Sequence, residues 1–253
     1  MTRTLFYPRG ALARDGWESV VEGELEHAGL RVAELATGDA LTLDPGFERI
    51  VVPLSGSFTV THLEETVLPG RSSVFDGPTD VLYLSCETTA VIRGEGRVAV
   101  AESSTDVVYP TRLIRAAEIP VEIRGTGAAT RHVYNFGTPA TLDAARLIVC
   151  EVITPAGNWS SYPPHKHDEH KPGIESQLEE IYYFESQGFG TFFTDDIAAR
   201  VRTGDIALVP SGYHGPAGAP PDYDLYYLNV MAGPGPEREW LITVDPEHEA
   251  GGP

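Results

Sequence analysis

Residues 163–171 read P-P-H-K-H-D-E-H-K and gather side chains that could do chemistry. Three of the eight histidines lie there, and His165 and His167 are spaced i, i+2. On an extended strand that spacing puts both imidazoles on one face, where they can converge on a single ion. Imidazole is the commonest protein ligand for divalent transition metals, so the segment marks a candidate metal site. His170 falls outside this phase and reads as a solvent-side loop residue. Further along, Glu179 and Glu180 open an aromatic run, and His214 sits in V-P-S-G-Y-H-G, where Pro210 and Gly212 make a tight turn. Three imidazoles and one carboxylate suit one divalent ion, zinc first, with manganese, iron or nickel as alternatives, and leave positions open for a substrate. Alternation puts Glu179 and Glu180 on opposite faces, so only one of them can join the histidines.

Other residues near these motifs could serve a substrate. Both lysines of the chain, Lys166 and Lys171, fall in the same nine residues. An ammonium beside a dry cavity binds carboxylate as a point charge, and Lys171 could fold over a cavity mouth. Lys166 alternates with the two histidines, so a solvated position is an equal expectation for it. Arg200, Arg202 and Arg238 are alternative cations. Asn158 and Trp159 lead into the histidine segment and could offer a hydrogen-bonding amide and an apolar wall to a sugar. Tyr227 and Asn229 share one face of a late apolar strand. Glu180, Tyr183, Tyr213 and Tyr227 are the candidates for proton transfer.

The elements that must position these groups are short strands. Runs such as Ile50–Leu54, Val81–Leu84, Ile181–Phe184, Asp205–Val209 and Leu225–Val230 are rich in β-branched and aromatic residues and are separated by Gly and Pro turns. Helical periodicity is weak throughout. This pattern predicts an all-β sandwich or barrel. The two halves repeat one layout, which predicts two β lobes, residues 1–125 and 126–253. The first lobe lacks any H-x-H, and His27, His62 and His132 are isolated, so a metal-free first lobe is expected. Among 253 residues the formal charge is −19, which argues against nucleic acid or an anionic membrane as partner. It also means that an anionic substrate needs a local positive site. Cys86 and Cys150 do not make a disulfide framework, no apolar run is long enough to span a bilayer, and the first ten residues contain no signal-like segment, so a cytoplasmic location is expected. Exposed strand edges allow a homo-oligomer. The acidic end, Asp245-Pro246-Glu247-His248, reads as a surface tail.

Taken together, H-x-H, the later Glu, and the Gly204, Pro210, Gly212, His214 set resemble the two motifs of the cupin superfamily. The longer strings G-N-W-S-S-Y-P-P-H-K-H-D (157–168), L-E-E-I-Y-Y-F (178–184), V-P-S-G-Y-H (209–214) and Y-D-L-Y-Y-L-N-V-M-A-G-P (223–234) resemble the 5-deoxy-glucuronate isomerases of myo-inositol catabolism, relatives of the 4-deoxy-L-threo-5-hexosulose-uronate ketol-isomerases. The likeness is strong over residues 145–246 and diffuse before them. It implies a bicupin of two jelly-roll lobes with the metal in the second, and conversion of 5-deoxy-D-glucuronate to 5-dehydro-2-deoxy-D-gluconate by a metal-dependent aldose–ketose isomerase. It also implies Glu179 as the carboxylate ligand beside His165, His167 and His214. Two features depart from the general cupin pattern: one residue, not two, separates Gly212 from His214, and the gap from His167 to its Glu is long. A sugar-acid-binding cupin without chemistry and a metal-dependent dioxygenase are the competing expectations.

Overall fold

The computed structural model describes residues 5–235 and 237–251, so four residues of the N-terminal stretch read above lie outside it. Apart from four short 3-10 helices, every regular element among the described residues is a β-strand. No helix there is long and apolar enough to cross a membrane.

The first lobe is an eight-stranded antiparallel sheet, built around two 15-residue strands, Phe47–Thr61 and Ala90–Ser104, that pair along nearly their whole length. Strands this long must bend to close around a core. Gly56, Gly94 and Gly96 supply the bend: all three have positive φ, and a Cβ on Gly56 would lie 1.9 Å from the Glu95 carbonyl oxygen. The interior of this lobe is filled by apolar side chains, including Trp17, Leu35, Leu43, Phe58, Leu82 and Ile92.

The second lobe packs a seven-stranded sheet against a six-stranded one. Across the seven-stranded sheet the order is Leu5–Tyr7, Ile206–Val209, Glu179–Ser186, Leu225–Ala232, Ile148–Thr154, Arg131–Gly137 and Val121–Arg124. The strand Leu5–Tyr7 at the chain's beginning and Val121–Arg124 near its middle therefore both join the sheet built by the second half. The six-stranded sheet carries His165–Lys166, His214–Gly218, Gly190–Thr194, Ala198–Val201, Thr243–Val244 and Trp159–Ser160.

The seven-stranded sheet is covered on both faces. One face meets the first lobe in a shared core that includes Ile50, Val52, Phe136, Val149, Ile181, Tyr183, Leu228 and Val230. The other face looks into the second barrel, where Cys150, Val152, Tyr182, Phe184 and Tyr227 pack on Phe192 and Ala217. That is why Ile148–Thr154 and Leu225–Ala232 are buried at every position and are apolar apart from Glu151, Thr154 and Asn229. Cys86 and Cys150 are free and buried.

Candidate metal centre

Strand register brings the two histidine motifs together. His165 lies directly opposite His214 in the six-stranded sheet. The ring centroids of His165 and His167 are 4.7 and 4.8 Å from that of His214, and one nitrogen from each ring falls within 4.8 Å of the others. Asp168 ties the two segments, its carboxylate accepting from the Gly212 amide at 2.8 Å.

Each ring is turned by a backbone carbonyl. The Nδ1 atoms of His165, His167 and His214 sit 3.0, 3.1 and 3.0 Å from the carbonyl oxygens of Pro163, Leu178 and Gly212. In the neutral tautomer that donates Nδ1–H to these carbonyls, the Nε2 atoms of His165 and His214 keep their lone pairs, the usual orientation of metal-binding histidines, while His167 Nε2 is in hydrogen-bond contact with Glu180.

The carboxylate at this centre belongs to Glu180. Its Oε2 is 3.0 Å from His167 Nε2 and 2.9 Å from His214 Nε2, while its Oε1 accepts from Asn229 Nδ2 at 2.5 Å. The His214 contact is off hydrogen-bond geometry, so His214 Nε2 is a buried nitrogen without a hydrogen-bond partner. An orphaned imidazole nitrogen, two further inward imidazoles and a buried carboxylate match the donor set of a divalent transition metal, and the residues fit such an ion. Glu179 is elsewhere. It shares the phase of Ile181 and Tyr183, faces the first lobe, and accepts from the backbone amides of Glu26, His27 and Ala28 at 2.7–3.2 Å. The expectation drawn from the resemblance therefore has the wrong member of the pair at the cluster.

Electrostatics follow from burial and proximity. Burial and the neighbouring His214 and His167 push the His165 pKa down to about 3, so its ring is neutral at ordinary pH even though it borders the cavity. Burial also opposes the charged form of His167, but its hydrogen bond to Glu180 and the charge of that carboxylate outweigh it and raise the pKa. Burial alone would raise Glu180; the hydrogen bond from His167, the close approach of His214 and the charges of both rings reverse this and hold it well below the usual carboxylate range.

Beside the cluster lies a cavity of about 780 Å³ that reaches His165, Glu180, Tyr182, Tyr227, Ser161, Arg124 and Arg131. Ser161 holds a left-handed φ of 46°, unusual outside glycine, and its Oγ is 3.1 Å from the Tyr227 hydroxyl and 3.3 Å from that of Tyr182. Gly215, beside His214, makes room for this turn, since a Cβ there would sit 2.1 Å from the Ser161 carbonyl oxygen. Burial pushes the Tyr227 pKa up to about 12 and raises that of Tyr182 well above normal, so both keep their protons at neutral pH.

Several expected site residues are elsewhere. Tyr183 faces the interlobe core and donates to Glu185 at 3.0 Å. Tyr213 does not line the cavity. Lys166 points to the other face, where Asp168, Glu169 and Glu175 neutralise it, and Lys171 is spent on Glu169 and Glu175 near the surface. Asn158 donates to the Thr130 carbonyl, and Trp159 packs outside the barrel against Gly218 and Phe193. Arg238 donates to the carbonyls of Leu147, Leu142 and Gly137, and neither Arg200 nor Arg202 lines the cavity. Asn229 is at the site, but it touches Glu180. The acidic end is a surface tail only in part: Pro246 and Glu247 are exposed, but the Asp245 amide donates to the Pro164 carbonyl at 2.9 Å and His248 lines the cavity, just after Thr243–Val244 pairs with His165–Lys166 and beside Trp240, Ile242 and Val244 in the same lining.

Comparison with known proteins agrees with this architecture. The model of the KduI/IolB family matches residues 10–250. A 5-deoxy-glucuronate isomerase of Bacillus velezensis is 42% identical over 243 residues, covering 89% of this chain and 88% of that protein. The crystal structure of an IolB-like protein from Salmonella typhimurium LT2 superposes with a TM-score of 0.89 at 33% identity, covering 97% of this chain and 98% of that one. The oxalate decarboxylase of Lactobacillus farciminis, in a formate complex, is 12% identical with a TM-score of 0.66, covering 100% and 92% of the two chains; that likeness speaks to the all-β, two-lobed bicupin fold alone. With its motifs, its fold and these relatives in agreement, the chain belongs to the KduI/IolB family.

Proposed function

We propose that this chain is a cytoplasmic isomerase that converts 5-deoxy-D-glucuronate to 5-dehydro-2-deoxy-D-gluconate, using one divalent metal ion, zinc in the first place, held by His165, His167, His214 and Glu180. One observation carries the reading. Three carbonyl-oriented imidazoles and Glu180 converge at a cavity large enough for a six-carbon sugar acid. The 42% identical relative named for this reaction supports the choice of substrate.

The reaction moves the carbonyl of an open-chain aldehyde from C1 to C2. A hydrogen leaves C2 and arrives at C1, and a proton leaves the C2 oxygen while the C1 oxygen gains one. When bound, the ion supplies Lewis-acid polarisation of the carbonyl. The chain's own groups do the rest. Asn229 fixes Glu180 Oε1 so that Oε2 stays turned to the histidines. Tyr227, Ser161 and Tyr182 form a row of hydroxyls that can both donate and accept, which suits proton passage between the two substrate oxygens. With its pKa pushed up to about 12, Tyr227 serves as donor rather than base. Val152, Phe184 and Phe192 line the barrel beneath and keep bulk water from the reacting carbons.

The test is direct. Purified protein is analysed for metal and supplied with 5-deoxy-D-glucuronate, and the loss of the aldehyde proton signal is followed by NMR. The reading predicts about one metal per chain and conversion to 5-dehydro-2-deoxy-D-gluconate, with His165→Ala and His214→Ala folded but inactive. A metal-loaded protein that leaves the aldehyde untouched contradicts it.

A further inference from the structure

We infer that Arg131, with Arg124 beside it, binds the carboxylate of the sugar acid and so sets which end of the open chain reaches the histidine cluster. This inference rests on the proposed isomerase reading and names the group that selects its substrate class.

The two arginines are direct cross-strand partners, Arg124 on Val121–Arg124 and Arg131 on Arg131–Gly137, and both line the cavity shared with His165 and Glu180. Like charges in that position repel each other. Arg124 is partly compensated: its Nη2 is 2.8 Å from Glu122 Oε2, and its guanidinium lies 5.0 Å over the Trp240 ring. Arg131 is not. Among the described residues it has no carboxylate within ion-pair distance, and its hydrogen bond goes to the Ala129 carbonyl at 3.2 Å. Most of its planar fork is left for something else.

Gly125, with φ 77°, makes the turn between the two strands: a Cβ there would lie 2.2 Å from the Ala129 carbonyl oxygen and 2.6 Å from Arg131 Nη1. Burial first, and then the charge of Arg124, lower the Arg131 pKa, and the nearby Tyr227 and Glu122 offset this only in part. A carboxylate between the two guanidiniums removes the repulsion and satisfies the fork bidentately. A chain of formal charge −19 needs such a local site to hold an anion, and both lysines are already neutralised by acids. Arg124 and Arg131 line the same cavity as Glu180 and Tyr227, so one ligand can meet both groups.

Arg131→Met removes the fork and keeps the apolar stem, while Arg131→Lys keeps the charge without the fork. Steady-state kinetics on 5-deoxy-D-glucuronate, and on the analogue with CH₂OH in place of the carboxylate, are paired with calorimetric binding of the uronate to metal-stripped protein. The expected result is a KM for the uronate raised roughly 10- to 100-fold in Arg131→Met, a smaller rise in Arg131→Lys, and no change for the uncharged analogue. Binding to stripped protein weakens by the same factor. If the uronate binds stripped Arg131→Met and Arg124→Met as tightly as wild type, the inference is overturned. If wild-type protein binds the uronate but does not turn it over, the isomerase reading fails while the binding arm still decides on Arg131.

Discussion

Asn229 Nδ2 donates to Glu180 Oε1 at 2.5 Å, from the strand that pairs edge to edge with the one carrying Glu180. The amide spends one carboxylate oxygen and leaves the other facing His167 and His214. Asn229 is thus a positioning residue. Asn229→Leu should weaken metal affinity by about 10- to 100-fold, with little change in melting temperature of the metal-free protein. Competition against a chromophoric chelator measures this, and unchanged affinity would remove Asn229 from the centre.

The Glu179–Glu180 pair gives a separable test. Glu180→Gln should abolish tight metal binding. Glu179→Ala should keep it, yet lose stability by about 1–3 kcal/mol because the amides of Glu26, His27 and Ala28 lose their acceptor. Metal stoichiometry and denaturant midpoints on the two variants read the difference. Metal loss in Glu179→Ala with retention in Glu180→Gln would reverse the assignment.

Metal uptake should carry a defined proton count. Glu180 is held below the carboxylate range and His165 is pushed down to about 3, so both are already deprotonated near neutrality. His167 alone is raised, by Glu180, above the usual imidazole value. A raised pKa means the free protein keeps this proton up to higher pH, so affinity climbs with pH below the His167 pKa and levels off above it. The slope of log affinity against pH should be positive in that range, because the His167 proton leaves on binding. Calorimetry in buffers of different ionisation enthalpy counts the released protons; binding that releases none would contradict the raised His167 pKa.

Tyr227→Phe removes the hydroxyl at the end of the Tyr182–Ser161–Tyr227 row and leaves the ring in the barrel core. The expected loss in kcat is on the order of 10²-fold, with KM and metal content near wild type. A fall in metal content would assign Tyr227 to the centre itself.

The interlobe face holds a buried ion pair. The Arg71 guanidinium, from the first lobe, bonds the Glu151 carboxylate, which also accepts from the Tyr226 hydroxyl at 2.8 Å. Arg71→Met strands a buried carboxylate and should cost about 3–5 kcal/mol of stability. Thermal unfolding checks it, and an unchanged midpoint would mean that the pair adds nothing to the lobe contact.

Residue spacing made the H-x-H pair, His214 and the all-β class legible, because i, i+2 spacing and short apolar runs translate directly into strand geometry. Choosing between Glu179 and Glu180, or between Tyr182 and Tyr183, was not legible. The strand is apolar on both faces, one packed on the first lobe and one on the barrel interior, so alternation carries no mark of which side is the site. Lys166 and Lys171 drew attention by rarity, but their local acids, Glu169 and Glu175, were equally visible and had the stronger claim on them. Arg124 and Arg131 were missed because they come from the join between lobes, far in sequence from the histidines. The one available signal was the Arg-Gly-Thr-Gly turn between two short strands. Asp245–His248 looked solvated because charge dominates it, and Pro246 and Glu247 are exposed; the segment is held just before them, where Thr243–Val244 pairs with His165–Lys166.

The most direct test of the central claim is a titration of metal-stripped protein with zinc while 5-deoxy-D-glucuronate turnover is followed by NMR. The account predicts no turnover in the stripped protein and activity rising linearly to a plateau at about one equivalent per chain, with His214→Ala silent throughout. Full turnover by stripped protein, or activity indifferent to the added metal, would contradict it.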